Sequence, residues 1–282
     1  MYYIQEADKL NLIFKLFNII KLQDDKIILP IKEGNKISKK KCEKLAKKVN
    51  KLLMKTNCKK VVVSKFVKEQ EEFLNYLYTY NCQIVDGKLL FEILSQKVLD
   101  YTIKKKKLKK QEVQLSILVN NLSDIMLENI KDLAKQYKKV NIVTNHIQKF
   151  KKIEEEMLEE QGIMIVITNN KKRSLARSQM ILNVDFPTEL INQYNIYENA
   201  IIINIKEEVK IKKKRFNGIS INDYEIKFEQ IEEFDYDKMQ KFYHKDLYEA
   251  QFNLRQPLKN SIRKINRDKV EIEKLVATNT IL

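Results

Sequence analysis

Glycine and proline are nearly missing from this chain: its 282 residues include 4 Gly and 3 Pro. That scarcity disfavours a glycine-rich phosphate cradle, a collagen-like repeat and a turn-dense all-β sandwich. With so few glycines the phosphate-loop motif GxxxxGK[ST] cannot be written, and no GxSxG occurs, which removes P-loop and serine-hydrolase chemistry. Cysteine is also sparse. Cys42, Cys58 and Cys82 are odd in number and stand 16 and 24 residues apart, fitting neither a disulfide framework nor a CxxC pair. Reduced, mostly buried thiols are expected. The two histidines, His146 and His244, lie 98 positions apart with no HExxH or cysteine-rich spacing, so no metal site is expected. No run of about eighteen uncharged apolar residues exists. The first residues carry Glu6, Asp8 and Lys9 in place of a basic cap and a clean apolar stretch, and a cytoplasmic protein is expected.

What the chain does have is charge and apolar residues together. Lys+Arg number 54 against 38 Asp+Glu, a net +16, while 44% of residues are hydrophobic, enough for a packed core. Three basic clusters stand out: Lys39 to Lys41, Lys104 to Lys110 and Lys210 to Arg215. Within them Lys104, Lys105, Lys106, Lys107, Lys212, Lys213, Lys214 and Arg215 are the candidates for tracking a nucleic-acid backbone. Heavy use of Lys, Ile and Asn gives part of this charge a purely compositional source.

Apolar spacing divides the chain into alternating strands and helices. Leu12 to Leu22 reads as β-rich, followed by a turn at Gln23 to Lys26 and a strand Ile27 to Ile31. Ser38 opens a helix with Cys42, Leu45, Ala46, Val49, Leu52 and Leu53 on one face. Val61 to Val63 and Cys82 to Val85 are strands, separated by a helix with Phe73, Leu74, Leu77 and Tyr80. A further helix carries Leu89 to Leu99 into the lysine run. Beyond it come a strand Val113 to Val119, a helix capped by Ser123 or Asp124, a strand Val140 to Thr144 and a helix stopped by Gly162. Three more strand-length runs follow: Ile163 to Thr168, Met180 to Val184 and Ala200 to Ile205. Such alternation predicts parallel sheets covered by helices. Glu207 to Phe228 reads as strand or loop. Met239, Phe242, Tyr243, Leu247, Ala250 and Leu254 form a helical stripe, interrupted at Pro257 and followed by a charged segment to Leu275.

Two stretches carry a family likeness: Val143-Thr144-Asn145-His146 at the end of one strand, and Ile181-Leu182-Asn183-Val184-Asp185 at another. With the strand order around them, residues 113–205 resemble the Rossmann-like NAD(P)-binding domain of the shikimate dehydrogenase and glutamyl-tRNA reductase type. The resemblance implies an NAD or NADP site at the strand ends, with Asn120, Asn121, Ser123, Asn145, His146, Asn183 and Asp185 as candidate cofactor-binding residues. Four departures stand against it. The turn Asn120-Asn121-Leu122-Ser123-Asp124 holds no glycine where the fingerprint needs close backbone approach to a pyrophosphate. His146 replaces the family's usual arginine, and Asp185 its usual threonine. No lysine and aspartate pair of the shikimate dehydrogenase kind is found in the first domain. Tyr101 and Lys105 have the YxxxK spacing of short-chain dehydrogenases, but within a lysine-rich segment.

The sequence therefore predicts an α/β protein of two Rossmann-like units with mostly parallel sheets and a C-terminal helical tail. The expected division is an N-terminal α/β domain over 1–110, a Rossmann-like domain over 111–206, and a β/loop and helical segment over 207–282 that packs back on the first domain. The expected function is that of a degenerate Rossmann-like protein, without dinucleotide catalysis of the usual kind and with no cofactor, that senses a ligand, scaffolds or regulates. Its partner would be a protein or a small ligand at the polar rim of the strand ends. The alternatives are an NAD(P)-dependent oxidoreductase with a glycine-free loop and a basic nucleic-acid-binding protein. Asn and Thr at strand ends are also ordinary turn residues, so the rim admits a purely structural role.

Overall fold

The computed structural model describes residues 1–9, 12–229, 236–250, 258–278 and 280–281. Its elements begin with β1 (Tyr2–Glu6), α1 (Leu12–Leu16), β2 (Lys21–Gln23), β3 (Lys26–Leu29), α2 (Lys39–Lys55), β4 (Lys60–Val63), α3 (Lys65–Lys68), α4 (Glu71–Thr79) and β5 (Gln83–Val85). Then come α5 (Lys88–Ile93), α6 (Ser95–Lys106), β6 (Gln114–Leu118), α7 (Asp124–Gln136), β7 (Lys139–Val143), α8 (Ile147–Gln161), β8 (Val166–Thr168) and α9 (Lys171–Arg177). The chain continues through β9 (Met180–Asn183), α10 (Thr188–Asn192), β10 (Ile201–Asn204), β11 (Ile219–Lys227), a 3-10 turn (Tyr236–Gln240) and α11 (His244–Ala250). It closes with α12 (Leu258–Arg267), β12 (Glu271–Ala277) and β13 (Thr280–Ile281). Leu254 and Pro257, part of the helical pattern read from the sequence, lie outside the described residues.

Two compact units result, one of residues 1–87 with 230–254, the other of 88–229 with 255–282. In the first, the sheet order is β2-β3-β1-β4-β5, parallel except for the β2–β3 hairpin. The turn between β2 and β3 is where the sequence puts it, with Asp24 in the left-handed region at φ 52. The segment 12–22 is not the opening strand, however: α1 occupies its start, and the strand is Tyr2–Glu6. Gln5 and Glu6 conceal β1 in the sequence, because polar residues at consecutive positions break a strand pattern. In the fold Glu6 is buried and its carboxylate accepts the Ser64 hydroxyl at 2.6 Å, so the polar end has a partner. The apolar face of α2 (Cys42, Leu45, Ala46, Val49 and Leu53) packs into the core beside Ile4, Val61 and Val63. From the C-terminal segment, α11 packs on β4 and β5 within this unit.

In the second unit the sheet runs β13-β12-β11-β10-β9-β6-β7-β8. Strands β6 to β11 are all parallel. Counted from β6 as the first, their order is third, second, first, fourth, fifth, sixth, the order of the doubly wound dinucleotide-binding sheet. Strand order reverses between β6 and β9. Their buried runs explain the assignment: Ile181, Ile202 and Leu118 are fully buried apolar residues on strands covered on both faces. Gly162 ends α8 in the left-handed conformation at φ +65. Gly218 serves close approach instead: a Cβ there would stand 2.1 Å from the Ala200 carbonyl oxygen, where β11 leaves to pair with β10.

Lys104 to Lys106 end α6 and lie inside the second unit. The helical tail also ends earlier than its charge pattern suggests. After Arg267 the chain turns through Lys269 (φ 49) into β12, which pairs antiparallel with β11. Only Ile272 and Leu275 of β12 are buried, in a strand otherwise dotted with Glu and Lys, so apolar spacing alone does not reveal it. Among the described residues no helix is long and apolar enough to cross a membrane.

Candidate functional site

In an open parallel sheet a ligand belongs beyond the carboxyl ends of the strands where their order reverses, here between β6 and β9. Asn120 to Ser123 form the turn from β6 into α7. Ser123 is extended (φ −90, ψ 159) and its hydroxyl accepts the Met126 N–H at 3.0 Å, an N-cap. The same hydroxyl donates to the buried Glu92 carboxylate of α5. Asp124 starts the helix and faces solvent, where its charge suits the positive end of the helix dipole.

Asp185, two residues past β9, reaches across to this turn. One carboxylate oxygen accepts the Asn120 N–H at 2.8 Å; the other accepts the Asn121 N–H at 2.7 Å and the Asn121 side-chain amide at 3.1 Å. The amide donors that a dinucleotide-binding turn aims at a pyrophosphate are thus taken by a carboxylate of the chain itself. Adjacent β6 and β9 make this possible, since the parallel register sets Leu118 beside Asn183. The Asn120 side chain in turn accepts the Asn145 N–H at 2.9 Å, tying the end of β6 to the end of β7.

The remaining candidates divide. Asn183 is buried and turned into the fold: it accepts the Phe186 N–H at 2.9 Å and donates to the Phe186 carbonyl and to Asn204, both at 3.0 Å. Asn204, also buried, donates to Ser220, to the Ile221 carbonyl and to Asn222 at 2.8 to 3.0 Å. Asn222 then accepts the Val209 N–H at 2.9 Å. A row of polar side chains therefore ties the ends of β9 and β10 to Ser220 and Asn222 within β11. Ser220 and Asn222 are not legible as site residues in the sequence, because β11 lies in a stretch whose polar alternation does not separate strand from loop. His146 is exposed and begins α8, its backbone N–H donating to the Thr144 hydroxyl at 3.1 Å. Thr168 and Asn170 accept the N–H groups of Asn170 and Arg173, both at 3.0 Å, as turn residues do.

The other motifs settle into structural contacts. The Tyr101 hydroxyl donates to the Glu273 carbonyl of β12 at 2.9 Å, and the Lys105 ammonium stands 5.3 Å from its ring. Cys42 and Cys82 are buried, and burial pushes both thiols up. Among the described residues no three His, Cys, Asp or Glu side chains gather as a metal set. Lys104 to Lys106 close α6, with Lys107 left-handed behind them, and Lys212 to Arg215 lie on the connection into β11.

No family model and no curated protein matches the chain. Solved structures similar to it include dehydrogenases, a reductase and carbamoyltransferases. L-tryptophan dehydrogenase from Nostoc punctiforme is 8% identical at a TM-score of 0.33, over 76% of this chain and 65% of that one. Shikimate 5-dehydrogenase from Listeria monocytogenes is 10% identical at 0.29, over 72% and 77%. The Delta(1)-pyrroline-2-carboxylate reductase of Thermococcus litoralis is 13% identical at 0.29, and the chain spans about a third (36%) of its length. The likeness is weak, and the Rossmann-like character of the second unit rests on its own strand order.

Proposed function

We propose that the chain is a degenerate Rossmann-like cytoplasmic protein, without dinucleotide catalysis of the usual kind, that works by sensing a ligand, scaffolding or regulating. The observation that carries this reading is the Asp185 carboxylate seated on the Asn120 and Asn121 amides. A diphosphate brought to that turn meets a fixed negative charge in place of free donors. At about 4 Å two like charges repel by roughly 4 kcal/mol near a protein surface. The absent glycines act the same way, since side chains at 120 to 124 keep a pyrophosphate from the backbone.

The rival reading, an oxidoreductase using NAD or NADP, requires Asp185 to swing away and free both amides. A thermal-shift series with NAD, NADP and their reduced forms separates the two. A ligand at a hundred times its Kd stabilises a native state by roughly 2.7 kcal/mol. A flat series is expected; a clear shift with one dinucleotide that Asn145→Ala abolishes overturns the proposal.

A further inference from the structure

The outer part of the same sheet carries a second feature, a cleft that runs from Gln114 and Lys139 at the starts of β6 and β7 to Thr168 and Asn170 at the end of β8. Among the described residues, helix α9 is the one helix between β8 and β9, and it has seven residues, about 10 Å of helix. It packs on β6 and β7 and sends Leu175 into the core beside Leu118, Val143 and Ile181. Parallel strands are ordinarily covered on both faces, but here Val166 of β8 is 48% exposed and Met164 before it 76%. A cleft of about 560 Å³ lies over this part of the sheet, within the size range of small-molecule sites.

The charge around the cleft has one sign. Arg173 and Arg177, four residues apart on one face of α9, line the cleft, as do Lys138 just before β7 and Lys139 at its start. No Asp or Glu lines the cleft, and none of the four cations has an ion pair among the described residues. The side chains of Asn141 and Gln114, on the same lining, make no hydrogen bond among the described residues. Elsewhere in the second unit lysines do find carboxylates, as Lys131 does with Glu156 at 2.9 Å. A single carboxylate in the cleft would leave most of the four cations unmatched, and a wholly apolar ligand would ignore them.

We propose that this cleft binds a nucleoside polyphosphate, with its phosphates held by Arg173, Arg177, Lys138 and Lys139 and its base laid on Val166 and Met164. The two guanidinium groups supply forked donors for phosphate oxygens, and the lysines add charge. Asn141 and Gln114 supply the amide donors and acceptors that a base edge takes. Because the cleft is bounded by α9 and lies on other residues than Lys104 to Lys107 or Lys212 to Arg215, a compact ligand suits it better than a long polyanion.

The test is calorimetric titration of the full chain at physiological ionic strength with ATP, inorganic pyrophosphate and an oligouridylate RNA. The expected result is saturable one-to-one ATP binding, weakened about tenfold or more by Arg173→Ala with Arg177→Ala. Arg173→Lys with Arg177→Lys should lose less, since charge survives while the fork does not. Absence of ATP binding overturns the proposal, as does binding indifferent to both arginine pairs. Pyrophosphate as tight as ATP removes the base from the site. RNA binding that displaces ATP and depends on Lys212→Ala with Lys213→Ala assigns the surface to nucleic acid.

Discussion

Asp185 holds Asn121 twice, by the backbone N–H at 2.7 Å and by the side-chain amide at 3.1 Å, and so ties the loop after β9 to the turn after β6. A carboxylate that accepts several N–H bonds is a strong local anchor. Asp185→Ala strips the turn of its partner and should cost about 1–3 kcal/mol of unfolding free energy in urea, with Asp185→Asn costing less. A loss below about 0.5 kcal/mol would mean that water serves the two amides as well as Asp185 does.

Asn204 is the centre of the buried amide row. Asn204→Leu leaves Asn183 and Asn222 with unmatched polar atoms and should destabilise the second unit by about 3 kcal/mol, read by denaturant titration. An effect near zero would show that the row is open to water and free to meet a ligand.

Asp246 on α11 gives the first unit a pH signature. Its carboxylate is fully buried beside Lys68 at 2.7 Å, with Lys245 and Asp86 also near, and Oδ1 has no partner among the described residues. Burial outweighs the two lysines and pushes the carboxyl from its usual 3.8 up to about 6. The folded state thus holds this proton to higher pH than the unfolded chain does. Its contribution to stability is complete below pH 3.8 and is lost as pH rises to about 6, on the order of 3 kcal/mol. Asp246→Asn mimics the protonated form, so its stability relative to the parent should rise by a similar amount across that window in urea titrations. A difference that stays flat, or falls, contradicts the assignment.

The alternation of strands and helices was legible in the sequence because buried parallel strands such as Ile201 to Ile203 are short continuous apolar runs, and helices such as α2 keep the 3.6 period. What escaped was polar in sequence and matched only in three dimensions. Tyr2–Glu6 hides its strand behind Gln5 and Glu6, and β12 hides behind alternating Glu and Lys with two buried residues. At the rim, composition gave the residues but not their direction. Asn183 looks like a ligand contact until its amide is seen facing Phe186 and Asn204, and Asp185 looks like an obstacle until its partners are seen to be the turn's own N–H groups. Side-chain direction at a strand end depends on neighbouring strands far away in sequence, which local pattern does not encode.

The most direct test of the closed turn is an NMR titration with NADPH that follows the backbone amides of Asn120 and Asn121. With both N–H groups held by Asp185, the account predicts resonances that stay in place as NADPH is added. A saturable shift of those two amides, with release of their bonds to Asp185, would contradict it and make the glycine-free turn a working dinucleotide site.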